Sequence, residues 1–196
     1  MFSPWRSQYI ASFRSPKKGG RGGDSIFRAA LMAGNDEKGL IVWRSRLCFV
    51  IMNRYPYNSG HLMIVPNRQT ADFLDLTPEE LADMMATLQR AIRAEMEAMG
   101  PEGFNVGLNL GRVGGAGIES HVHVHLVPRW NGDTNFMPVI GDVKVISEDL
   151  KATLKKLKKA FQHQEESSAQ SGQKVPPKKR RKGSGAGPGR RTVRKA

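Results

Sequence analysis

His121-Val122-His123-Val124-His125-Leu126-Val127-Pro128-Arg129-Trp130 sets histidine against an apolar residue in strict alternation. Successive side chains of an extended strand point to opposite faces. The period therefore puts His121, His123 and His125 on one side and Val122, Val124 and Leu126 on the other. One face can pack a core while the other carries a row of imidazoles. Imidazole titrates near neutral pH and serves as nucleophile, acid, base or metal ligand, so this row marks a reaction centre or a metal site.

A zinc site would use the same three imidazoles, with a carboxylate or a fourth histidine close by. The sequence offers something else immediately upstream, Gly111-Arg112-Val113-Gly114-Gly115-Ala116-Gly117. Such a glycine-rich run leaves backbone N–H groups unhindered and able to wrap anionic oxygens. Joined to the histidine row, it favours phosphate chemistry performed by imidazole over chemistry performed by a metal.

The pattern His-φ-His-φ-His-φ-φ, with φ apolar, runs from His121 to Val127 and resembles the signature of the histidine triad superfamily of nucleotidyl hydrolases and transferases. The resemblance covers about residues 37 to 150. It extends to Phe49-Val50-Ile51-Met52-Asn53-Arg54-Tyr55-Pro56 and Gly60-His61-Leu62-Met63-Ile64-Val65-Pro66, which look like the superfamily's first strand pair. Within the superfamily, Pro4-Trp5-Arg6 is similar to the opening of the branch of fragile-histidine-triad hydrolases and bacterial diadenosine polyphosphate phosphorylases.

That resemblance implies roles residue by residue. His123 would attack the α-phosphorus of a nucleotide and form a covalent nucleotidyl-imidazole, later cleaved by water or phosphate. Attack requires one ring nitrogen bare and the other fixed by an acceptor, for which a neighbouring backbone carbonyl suffices. His125 would donate to phosphate oxygens or the leaving group, and His121 and His61 would order the network. Ile51 would pack on the base and Asn53 would bind the ribose hydroxyls, although Asn53 also suits a turn before Arg54-Tyr55-Pro56. Asn109 would meet the phosphate chain beside Gly115 and Gly117.

Two departures from the superfamily pattern stand out. Many relatives of this branch hold a structural zinc through a Cys-x-x-Cys near the N-terminus and a His after the Val-Pro pair. The corresponding residues here are Ser25, Arg28 and Gln69, none of them a zinc ligand by preference, so no structural zinc is expected. No tightly bound cofactor is expected either, and any divalent metal would arrive with the substrate. In Ala116-Gly117-Ile118-Glu119-Ser120 the Gln usual in the fragile-histidine-triad hydrolases is missing, which leaves hydrolysis and phosphorolysis both open.

Charge divides the chain. Lys174, Lys178, Lys179, Arg180, Arg181, Lys182, Arg190, Arg191, Arg194 and Lys195, with no acid among residues 168–196, supply ten of the thirteen net positive charges. Otherwise Ser, Gly, Gln, Pro and Ala with one Thr and only Val175 and Val193 as larger apolar residues, this tail has too little apolar surface to fold alone. It is expected to be disordered and to bind RNA, DNA or another polyanion weakly and in a salt-dependent way. Pro177 to Lys182 also resembles a nuclear import patch. The 39% hydrophobic content is enough for one small core. The expected partition is residues 1–36 as an N-terminal extension with a mobile loop at Pro16 to Gly23, 37–150 as the nucleotide-binding catalytic domain, 151–167 as a C-terminal helix and 168–196 as the tail. Cys48, the only cysteine, excludes an intrachain disulfide. Neither a membrane helix nor a signal-peptide run is visible, which places the protein in the cytoplasm by default.

The scaffold expected is α+β. Residues 40–52 read as two strands turning near Arg44-Ser45-Arg46, followed by strands at 60–65, 103–110 and 121–127. Thr77-Pro78-Glu79-Glu80 opens a helix with a capping box, Leu81, Met84, Met85, Leu88, Ile92 and Met96 form its apolar stripe, and Gly100-Pro101 ends it. A second helix starts near Ser147, with Leu150, Leu154, Leu157 and Phe161 opposite a lysine-rich face. The resemblance implies a five-stranded antiparallel sheet with one long central helix, and a homodimer whose two sheets become one of ten strands. Three function classes follow: a hydrolase or transferase of dinucleoside polyphosphates of the diadenosine tri- or tetraphosphate type, an adenosine phosphoramidate hydrolase on the same site, and a nucleotide- and nucleic-acid-binding module acting through its tail.

Overall fold

The computed structural model describes residues 23–134 and 148–172. The Trp5 segment, nearly all of the Pro16 to Gly23 loop and most of the basic tail lie outside the described residues. Helix α1 (Ile26–Met32) and the single turn α2 (Asp36–Gly39) precede strands β1 (Ile41–Arg44), β2 (Cys48–Met52) and β3 (Leu62–Pro66). A 3-10 turn (Phe73–Asp75), helix α3 (Pro78–Met99), strands β4 (Gly103–Leu108) and β5 (Val124–Arg129) and helix α4 (Leu150–Gly172) complete the order.

The five strands form one antiparallel sheet in the order β1-β2-β3-β5-β4. Its histidine strand is shorter than the alternation alone indicates: the ladder opens only at Val124, opposite Ile64 of β3. His121 and His123 lie just before it, and their segment is held by Val122, whose N–H donates to the Thr70 carbonyl at 2.8 Å. Alternation still sorts the sheet into two faces. Val42, Cys48, Val50, Met52, Leu62, Ile64, Val124 and Leu126 share one apolar cluster with residues of α3 and α4. Ile41, Phe49, Ile51, Met63 and Val65 form the other with Phe27 of α1.

Helix α3 starts where its sequence requires. The Thr77 hydroxyl accepts from Glu80 N–H at 3.2 Å and the Glu80 carboxylate accepts from Thr77 N–H at 2.9 Å, with Pro78 at the first helical position. Gly100, at φ 58°, closes it. Leu81, Leu88 and Ile92 of the expected stripe pack partly buried against the core. Met84 is buried, but Met85 and Met96 are exposed, and Thr87, Ala91, Ala94 and Glu95 take the inner positions. Small residues there let the helix lie close on the sheet, which a count of large apolar residues does not reveal. Helix α4 buries Leu154, Leu157 and Phe161 as expected, begins at Leu150 under the Asp149 carboxylate, and runs to Gly172, past the expected end at 167.

Candidate active site

Four histidines converge on the face opposite α3, and their tautomers can be read from the partners. His123 Nδ1 lies 2.9 Å from the His121 carbonyl. A carbonyl only accepts, so the proton sits on Nδ1 and Nε2 keeps its lone pair. Burial holds the His123 pKa below the ordinary imidazole value, more than offsetting that hydrogen bond, and the ring is neutral at pH 7. The local fold thus supplies the neutral, oriented imidazole that nucleophilic attack requires.

His125 is oriented by a chain starting in the backbone. Tyr57 N–H donates to His61 Nδ1 at 3.0 Å, so the His61 proton sits on Nε2, 2.9 Å from His125 Nδ1. Neutral His125 therefore carries its own proton on Nε2. Tyr57 stacks on His125 with centroids 5.8 Å apart and lies tilted against His61 at 4.6 Å, and the His123 and His125 rings stand 4.7 Å apart at 73°. A lone pair on one ring and an N–H donor on the next can act together on a single phosphate, one attacking phosphorus and the other hydrogen-bonding an oxygen.

Beside them opens a pocket of about 310 Å³, lined in part by Phe27, Ile51, Asn53, Met63, Gly117 and Ile118 as well as His123 and His125. Its walls are mostly apolar with a few convergent polar groups, the usual character of a small-molecule site. Ile51 and Gly117 both line this pocket. Asn53 borders the pocket; its Oδ1 accepts from Tyr55 N–H at 3.0 Å, which is the turn reading, and its Nδ2 lies 3.3 Å from His61 Nδ1. Asn109 and Gly115 are not among the pocket-lining residues. The Asn109 amide instead donates to the Gly115 carbonyl at 3.4 Å across the glycine-rich loop.

Sequence reasoning missed the wall formed by Ile26, Phe27 and Ala30 of α1, and the stacking residue Tyr57. Ser25 before an apolar pair was a usable helix-start signal; nothing local identifies Tyr57. Phe27 packs on His121 and His123 with centroids at 5.7 and 5.0 Å. Ser25 and Gln69, two of the three positions where a zinc would be held in relatives, gather beside His121. Ser25 Oγ is 2.7 Å from His121 Nδ1, and Gln69 Oε1 accepts from Ser25 N–H at 2.9 Å. With His121 Nε2 committed to the Pro66 carbonyl at 2.9 Å, hydroxyl and amide donors around a doubly engaged imidazole do not fit a zinc ion.

An antiparallel sheet of this order presenting a neutral histidine over a nucleotide-sized pocket defines a class, and the comparisons agree. The chain belongs to the HIT domain family, which matches residues 35–132. It is 42% identical to a Mycobacterium tuberculosis protein named AP-4-A phosphorylase over 156 residues, 78% of this chain and 79% of that one. A Schizosaccharomyces pombe protein named bis(5'-nucleosyl)-tetraphosphatase [asymmetrical] is 29% identical over 93 residues, 47% of this chain and 50% of that one. Among solved structures, a zinc-bound histidine triad family protein from Mycobacterium smegmatis aligns with a TM-score of 0.61 at 25% identity, covering 74% of this chain and 97% of the other.

Proposed function

We propose that this chain is an enzyme that cleaves dinucleoside polyphosphates by transferring a nucleotidyl group through His123. The observation carrying the reading is the pairing of a bare His123 Nε2 with a proton-bearing His125 Nε2 beside a nucleotide-sized pocket. In the first step His123 Nε2 forms a bond to the α-phosphorus and the bond to the bridging oxygen breaks, the departing nucleotide leaving as its phosphate anion with the His125 Nε2–H hydrogen-bonded to that oxygen. In the second, an acceptor oxygen attacks the phosphorus and the P–N bond breaks, returning the electron pair to His123 Nε2; hydrogen phosphate attacks through an oxygen that already lacks a proton, and water would release its proton to solvent. Ile51 and Phe27 hold the base, and Asn53 offers its amide to the ribose.

The acceptor we favour is inorganic phosphate, with a nucleoside diphosphate as product, because a relative 42% identical over 78% of this chain is named a phosphorylase. Relatives named for hydrolysis match shorter stretches at lower identity. A substrate panel of diadenosine tri- and tetraphosphate and an adenosine phosphoramidate, run with and without inorganic phosphate, separates the readings. Phosphate-dependent release of a nucleoside diphosphate is expected; equal turnover without phosphate overturns the acceptor assignment, and preference for the phosphoramidate overturns the substrate. Stereochemistry tests the mechanism separately: two displacements at a chiral α-thiophosphate give net retention, whereas direct attack gives inversion.

A further inference from the structure

The group that orders His121 lies outside the histidine row. His121 Nε2 donates to the Pro66 carbonyl, so in the neutral ring Nδ1 is a buried lone pair that needs a donor. Burial keeps the ring neutral by holding its pKa below the ordinary imidazole value. The Ser25 hydroxyl, 2.7 Å from Nδ1, is the donor. The same oxygen accepts from Arg28 N–H at 3.1 Å as the N-cap of α1. Ser25 N–H is in turn held by Gln69, whose amide nitrogen donates to the Gly23 carbonyl at 3.2 Å.

We propose that Ser25 is a positioning residue for the nucleophile: one hydroxyl donates to His121 and accepts from α1, tying the pocket wall and the reacting histidine into a single rigid unit. The inference rests on the reading of His123 as nucleophile. Its mechanical path is short. The His121 carbonyl holds His123 Nδ1, and Phe27, two residues after Ser25, packs against both rings and lines the pocket. If His121 turns its ring or α1 lifts, the aim of His123 Nε2 and the base-binding wall change together. The requirement is specific, because the group must give one hydrogen bond and receive another at the same atom. Serine and threonine do so; aspartate caps the helix equally well but only accepts.

This difference provides the test. Histidine ring-nitrogen NMR spectra, amide exchange at Phe27 and AMP affinity are compared for wild type, Ser25→Ala, Ser25→Asp and Ser25→Thr, together with kcat and KM on diadenosine tetraphosphate. Ser25→Ala is expected to disturb the His121 ring signals, speed exchange at Phe27 and lower kcat/KM about tenfold, the scale of one buried group left unpaired. Ser25→Asp should keep α1 capped and Phe27 protected, yet convert His121 to the imidazolium, since carboxylate and Pro66 carbonyl both demand a proton, and its kcat should fall at near-normal AMP affinity. Ser25→Thr should restore the wild-type His121 spectrum. Wild-type His121 signals in Ser25→Ala or a neutral His121 in Ser25→Asp overturn the proposal, as does turnover within twofold of wild type in both variants. The spectra, exchange rates and AMP affinity need no turnover, so a wild type inactive on the dinucleotide would sink the proposed function and leave this inference still decided.

Discussion

At the scale of single residues, the pKa directions give predictions of opposite kinds. His123 must be neutral to attack, and burial lowers its pKa from the ordinary value near 6.5. The acid limb of kcat/KM should therefore lie below pH 6.5, with activity flat from pH 7 down to that point; a limb above pH 7 would show that the nucleophile is not the buried ring described. Glu95 behaves the other way. Wholly buried, with neither carboxylate oxygen partnered among the described residues, it is pushed up to about 9 by desolvation. Between its ordinary value and about 9 the unfolded chain loses this proton while the folded chain keeps it, so Glu95 makes stability fall as pH rises. Glu95→Gln should flatten the stability profile across that window in denaturant titrations, and an unchanged slope would contradict the assignment. His123→Ala should abolish turnover while AMP binding stays measurable by calorimetry. The histidines were legible because each bears its chemistry in its own side chain. Tyr57 was not, because what it contributes to His61 is a backbone N–H, which any residue but proline carries.

Elements were legible where a local signal fixes them and blurred where tertiary packing does. The α3 start needed only Thr77, Pro78 and Glu80, and it appeared as read. Thr77→Ala should lower stability by about 1 kcal/mol, the usual cost of a lost N-cap, read as a shift in the denaturant midpoint at constant slope. No loss would mean that the Arg68–Glu80 ion pair at 2.7 Å holds the turn by itself. The inner face of α3 was read in part: Leu81, Met84, Leu88 and Ile92 pack on the core, while Ala91 and Ala94, set by closeness to the sheet and not by size, were not foreseen. The start of β5 was also set too early: the period-2 pattern persists through His121, but β3 offers a partner only from Val124 onward. Helix α1 escaped notice because seven residues carry little periodicity and its role comes from docking Phe27 against the triad. On α4, Leu157→Ala should destabilise by roughly 2–5 kcal/mol, as for a fully buried leucine, and a smaller loss would show that the helix is dispensable to the core.

At the scale of the whole molecule, the sheet ends at β4, whose residues Asn105, Val106 and Gly107 are exposed along an edge. Such an edge needs protection, and we propose that a second copy provides it in a homodimer, as the sequence resemblance implies. Sedimentation equilibrium should give twice the chain mass; a monomer at all concentrations would refute the pairing. The tail from residue 173 onward is proposed to act separately, by charge. Removing residues 173–196 should abolish salt-sensitive RNA binding and leave kcat/KM within twofold, whereas lost turnover would place the tail in the catalytic unit. Among the described residues no helix is long and apolar enough to cross a membrane. All of these properties are secondary to one proposed bond, that between His123 Nε2 and the α-phosphorus. Acid-quenched turnover of diadenosine tetraphosphate, digested and mapped by mass spectrometry, should find an adenylyl group on the His123 peptide that disappears in His123→Ala. A wild-type peptide that stays unmodified during steady turnover, or an adduct mapped to His121, His125 or His61, would contradict the account.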